Sequence, residues 1–315
     1  MRILVVGAGA IGGYFGARLL AAGRDVTFLV RSRRAEQLRR DGLVVLSPLG
    51  NLSLPTPPLV AADSLDGPYD LIVLSCKSYD LEESITDFAP GLGSDSQVLP
   101  LLNGMQHLDI LDARFGAQRI LGGLARISST LDAPGRIHQF GTFNSLAFGA
   151  RAPAKQPDID TIAEALRVSG FEAHLSSDIL REMWEKWAFI AAAASTTCLM
   201  RAAVGDILAA GAREIPERLM QECAAIAAGN GFAPREAATQ AGLAVLMAPG
   251  SAFTASMLRD IEQGGRIEAD HIVGDLLRRA ANPLQSPLLS TAYAHLRAYE
   301  ARRKRESAAH ESAAR

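Results

Sequence analysis

"RILVVGAGAIGGYFGARLL", residues 2–20, decides the fold. Its opening apolar run, Ile3 to Val6, is cut off by glycine and reads as a buried strand. Gly7, Gly9 and Gly12 then follow in the spacing G-x-G-x-x-G, and a helical stretch carries on through Leu19 and Leu20. In a strand–turn–helix of this kind each glycine has its own task. The first permits the tight turn and the second lets a pyrophosphate approach the backbone. The third packs helix on strand, while the helix N-terminus favours the anion. Glycines also serve plain turns. The position between strand and helix is what assigns Gly7, Gly9, Ala10, Ile11 and Gly12 to a dinucleotide.

Outward from this point, "DVTFLVR" (25–31), "YDLIVLSCK" (69–77) and "SQVLPLLNG" (96–104) read as further strands separated by helical stretches. Such alternation predicts βαβ units and a parallel sheet. From 132 to 150 the text changes to antiparallel strands around Gly and Asn turns, as in "APGRIHQFGTFNSLAFG". After about 176 it is helical throughout, from "DILREMWEKWAFIAAAAS" to segments at 212–229, 234–248, 255–262, 268–281 and 288–303. The expected fold is α/β: an N-terminal Rossmann-type doubly wound sheet over 1–175, then an all-helical C-terminal domain over 176–304. Residues 305–315 are charged and Ala-rich with no apolar face, so a flexible tail is expected.

Composition agrees with this plan. At roughly 150 residues per domain, 315 residues make two domains, and 48% hydrophobic residues supply both cores. The formal net charge of −2 gives no electrostatic reason to bind nucleic acid or an acidic membrane surface. No apolar run reaches the length of a membrane span. The chain enters a strand at Arg2 without a leader pattern, so a cytoplasmic location is expected. Cys76, Cys198 and Cys223 stand at no metal-ligand spacing and read as reduced thiols; with the histidines scattered too, no metal is expected. The candidate assembly is a homodimer.

After its second strand a site selective for NAD usually carries an acid for the ribose 2′-hydroxyl. Here "FLVRSRR" (28–34) offers Arg31, Arg33 and Arg34, with no acid before Glu36. A carboxylate there repels a 2′-phosphate and a guanidinium pairs with it, so NADP is expected over NAD. The alternative is a solvated basic turn. Lys77 and Asn103 fall just beyond the third and fourth strands, where ligands of parallel sheets bind. Taken singly, one is equally a loop lysine and the other an ordinary turn; their matched placement points to the cofactor.

"WEKW" (184–187) sets Lys186 between the only two tryptophans, in a run that is otherwise almost wholly apolar. Such a lysine either lays its stem on apolar surface or is a desolvated amine suited to general acid catalysis. A ketone gaining hydride needs that proton donor near its oxygen. "SMLRDIEQGGRIEAD" (256–270) adds Ser256, Asp260, Glu268 and Asp270 around a Gly-Gly break. Glu268 opens a new helix, where its carboxylate serves the lysine or a substrate hydroxyl, or merely offsets the helix dipole.

Together these motifs resemble the ketopantoate reductase family (2-dehydropantoate 2-reductases). The likeness runs from "ILVVGAGAIGGYFGARL" through "VRSRR", "SCKSYDLE", "LLNGMQ", "WEKW" and "SMLRDIEQGGRIEADHIVGDLL" to "SPLLSTAYAHLRAYE", ending at Glu300. The resemblance implies NADPH-dependent reduction of a 2-keto acid and a place in pantothenate biosynthesis. It implies Lys186 as the group that protonates the keto oxygen and Glu268 as the holder of the substrate hydroxyl. Ser256 then touches the substrate carboxylate, Asn103 and Lys77 lie at the nicotinamide and the site mouth, and Arg31 meets the 2′-phosphate. The family helix normally reads K-x-x-x-N-x-x-x-N; here Ile190 and Ala194 replace both asparagines, and Ile267 replaces the usual threonine. A reductase whose substrate differs from ketopantoate is therefore the leading expectation. A non-catalytic NADP-binding sensor or regulator of the same fold is the alternative, and a dehydrogenase of larger hydroxy or imino acids a third.

Overall fold

The computed structural model describes residues 1–151, 159–168 and 170–313. In chain order the first part carries β1 (Arg2–Val6), α1 (Gly12–Ala21), β2 (Asp25–Leu29), α2 (Ser32–Asp41), β3 (Leu43–Leu46), β4 (Leu52–Leu54) and β5 (Leu59–Val60). There follow β6 (Tyr69–Leu74), α3 (Leu81–Phe88), β7 (Leu92–Pro100), α4 (Gln106–Phe115), β8 (Gly122–Leu131), β9 (Ile137–Gly149), α5 (Ile159–Leu166) and β10 (Glu172–Leu175). Two units result: Met1–Leu102 with His107–Ile179, and Leu180–Arg315 with Asn103–Gln106.

In the first unit five parallel strands stand in the order β5-β2-β1-β6-β7. Ile3, Leu4 and Val5 are wholly buried, which is why β1 reads as an unbroken apolar run and does not alternate. Val6 is in register with Leu29 and with Leu74, so the chain leaves β1, β2 and β6 along one edge. The strand order reverses at β1, where open α/β sheets bind their ligands. A second sheet runs β10-β9-β3-β4, with β8 antiparallel to β9. The antiparallel pair expected from residue 132 thus begins earlier, at Gly122. The strands β3, β4, β5 and β10 span only two to four residues each, too few to show a sequence period.

The second unit is helical. It contains α6 (Ile179–Met200), α7 (Val204–Ala209), α8 (Glu214–Gly229), α9 (Glu236–Leu246) and α10 (Ser256–Glu262). A π-helical turn, Asp270–Gly274, leads into α11 (Asp275–Arg278), and α12 (Pro287–Ala313) closes the chain. Residues 305–313 continue α12. Ala, Glu, Arg and Lys are strong helix formers, and extending a formed helix avoids the cost of nucleation. No helix among the described residues is long and apolar enough to cross a membrane. None of the three cysteines forms a disulfide, and burial pushes the Cys198 thiol up to about 12.

Candidate active site

The glycine loop assigns a separate role to each glycine. Gly7 has φ +92°, in the left-handed region, and its N–H donates to the Leu29 carbonyl at 3.0 Å. A Cβ on Gly12 would overlap the Ser75 hydroxyl and the Gly7 carbonyl oxygen, so helix and strand are in contact there. Around Gly9, by contrast, nothing lies within 4 Å of where a Cβ would stand. Ile11 offers α1 no side-chain cap, and the first turn holds no acid, leaving the helix end to an external anion. Open space at the middle glycine and an uncompensated helix terminus fit a dinucleotide pyrophosphate. Ser75 fixes this geometry by donating its hydroxyl to the Val6 carbonyl at 3.1 Å. It went unnoticed in the sequence because its role depends on strand pairing.

The three arginines divide their work unexpectedly. Arg31 is exposed, with Nη2 2.7 Å from Glu83 Oε2 and Nη1 3.6 Å from Asp80 Oδ1. The acids missing from the second strand's end are thus supplied by the segment that follows β6. Arg34, not Arg31, touches the glycine loop: its Nε donates to the Ala8 carbonyl at 3.0 Å and its Nη1 to the Gly135 carbonyl at 2.9 Å. Burial lowers the Arg34 pKa, with Asp132 opposing. Lys77 is exposed, three residues beyond β6.

The second unit holds the remaining candidates, Asn103, Lys186, Ile190, Ala194, Ser256 and Glu268. From Glu182 to Cys198 only Lys186, Phe189 and Ile190 of α6 are not fully buried. Their spacing of three and four places them on one face of the helix. That face is therefore open, and apart from Lys186 it is apolar. Ala194, one turn further on, is 3% exposed. Phe189 belongs to this opening and packs against Phe253 with ring centroids 6.3 Å apart. The sequence hid it, because a phenylalanine in an apolar run looks like core.

The residues flanking Lys186 anchor it. Glu185 accepts from the Arg235 backbone N–H and from its guanidinium at 2.7 and 2.6 Å. The Trp187 indole N–H donates to the Ile272 carbonyl at 2.8 Å, tying α6 to the π-helical turn. Glu268, 9% exposed, stands just before that turn, and its carbonyl accepts the Ile272 N–H at 2.9 Å. Ser256 is exposed as the first residue of α10. The preceding Ala255 N–H donates to the Thr197 hydroxyl at 3.3 Å.

Residues 3–153 match the model of the family "Ketopantoate reductase PanE/ApbA", and residues 178–300 match that of its C-terminal part. The chain belongs to the ketopantoate reductase family. Like the family's other members it is an oxidoreductase. It is 38% identical to the uncharacterized oxidoreductase YkpB of Bacillus subtilis, over 96% of this chain and 99% of that protein. Among solved structures it is similar to 2-dehydropantoate 2-reductase from Geobacter metallireducens, with TM-score 0.85, 29% identity and coverage of 94% and 99% of the two chains. A ternary structure of D-mandelate dehydrogenase with NADH and anilino(oxo)acetate also has TM-score 0.85, covering 96% of this chain and 100% of that one; at 23% identity that likeness bears on the fold alone.

Proposed function

We propose that this oxidoreductase reduces a 2-keto acid with NADPH, and that its substrate carries a less polar side chain than ketopantoate. The observation that carries the reading is the open face of α6, where Lys186 stands beside Phe189 and Ile190. In this reading the Lys186 ammonium protonates the keto oxygen as the carbonyl carbon accepts hydride. Bound NADPH supplies that hydride. Glu268 and Ser256 hold the polar groups of the substrate, and Asn103 and Lys77 serve the nicotinamide end. Phe189, Ile190 and Ala194 accept an alkyl or aryl substituent and keep water from it. Oxidation of NADPH with ketopantoate and with branched and aromatic 2-keto acids is the direct test, and an apolar member of the set should rank first. NADPH binding without turnover of any of them would favour a sensor, the reading that the missing asparagines suit.

Cofactor choice follows from the Arg31 cluster. A 2′-phosphate gains about 1.5–3 kcal/mol from charge-assisted hydrogen bonds. It must first displace exposed carboxylates whose ion pairs contribute about 0–1 kcal/mol each. The balance leaves NADPH preferred over NADH by roughly tenfold, less than an unoccupied arginine would give. Glu83→Gln should tighten NADPH severalfold and leave NADH unchanged, as read from the dissociation constants. Arg31→Asp should remove the preference. Equal affinities in the unaltered protein would rule out the role given to Arg31.

A further inference from the structure

His271 is 6% exposed and lies in the π-helical turn, three residues past Glu268. Its Nδ1 is 3.3 Å from Gln106 Oε1, across 165 residues of sequence. Gly104, with φ +79°, lies directly against it: a Cβ there would be 2.9 Å from the His271 carbonyl oxygen and 3.2 Å from its Cδ2. The histidine therefore packs on the Asn103–Gln106 turn, and that turn contains the candidate nicotinamide residue.

We propose that His271 is a positioning residue, tethering the Asn103–Gln106 turn to the segment that carries Glu268. This rests on the roles given above to Asn103 and Glu268. The Gln106 amide oxygen accepts, so the neutral imidazole holds it by donating from Nδ1–H. Burial favours that neutral form and lowers the His271 pKa, against the opposing charge of Glu268 and Asp275, a backbone contact with Asn103, and the charge of Asp270. Asp275 is bound by Arg279 and Asp270 by Arg278. Tyr293 also donates to Asp270. Protonation keeps the Nδ1–H donor, so the contact with Gln106 does not depend on the protonation state.

His271→Phe keeps a ring of similar size without the polar contacts, and His271→Gln restores an amide. Two measurements are needed. Hydrogen exchange of the Asn103–Gln106 amides should be faster in His271→Phe and closer to normal in His271→Gln. Turnover of the best 2-keto acid should fall roughly tenfold to a hundredfold in His271→Phe, as small displacements of positioned groups do. NADPH affinity should change little. Unchanged exchange in a folded His271→Phe protein overturns the tether. So does kcat/KM within about twofold of normal. If the unaltered protein reduces no 2-keto acid but exchange rises in His271→Phe, the tether stands and the proposed reaction falls.

Discussion

Lys186→Ala is expected to lower turnover by roughly 10²–10⁴-fold, the usual contribution of a positioned general acid. The protein should remain folded. Alanine favours the helix, and neither the Glu185–Arg235 contacts nor the Trp187–Ile272 hydrogen bond uses the lysine. NADPH affinity should be nearly unchanged, because the glycine loop is built within the first unit. Lys186→Arg separates charge from proton transfer: it keeps the cation but cannot release a proton at ordinary pH. The alkaline limb of the rate profile should vanish or move in that variant. A loss of less than about tenfold in Lys186→Ala would instead mean that the lysine only covers apolar surface.

The second large effect concerns the substrate. Ile190→Asn combined with Ala194→Asn should raise kcat/KM for ketopantoate by about tenfold to a hundredfold relative to an alkyl or aryl 2-keto acid. Each recovered hydrogen bond contributes on the order of 1 kcal/mol, more where a buried substrate hydroxyl otherwise has no partner. The two positions are not equivalent. Ile190 is half-buried and tolerates an amide, whereas Ala194 is 3% exposed. An asparagine there costs about 1–3 kcal/mol of stability until substrate or a neighbour satisfies it, so thermal unfolding must be followed alongside kinetics. The nearby Thr197 hydroxyl is already engaged. Thr197 donates to the Ala193 carbonyl and accepts from the Ala255 N–H, while Ser195 is fully buried. Ketopantoate ranking first in the unaltered enzyme by a wide margin would refute the apolar-wall reading.

The features legible in the sequence are those written in consecutive residues. The glycine loop needs only a strand, three glycines and a helix, and all of them fit within residues 2–20. Lys186 stood out for the same reason, as the one lysine in a largely apolar helix. The acids that face Arg31 were invisible because Asp80 and Glu83 reach it only once β2 and β6 flank β1. His271 was hidden for a related reason, since its partner Gln106 lies far away in the chain. The short strands failed on length alone. Beyond Glu300 the chain has no apolar face, and helix propensity with continuity of α12 carries it on as helix to Ala313.

The π-helical turn after Glu268 carries a genealogical consequence. Such turns widen a helix by one residue, so the Asp270–Gly274 turn amounts to an insertion accommodated within a helical path. Deleting a single residue from it would let the segment relax to ordinary α-helix. One residue corresponds to about 100° of helical rotation. Everything from Asp275 onward would then be turned by that amount relative to Glu268. A point substitution in this turn alters one contact, but a one-residue deletion changes the phase of the helix. Length variation here should therefore be far less tolerated than at the exposed glycine break just before it.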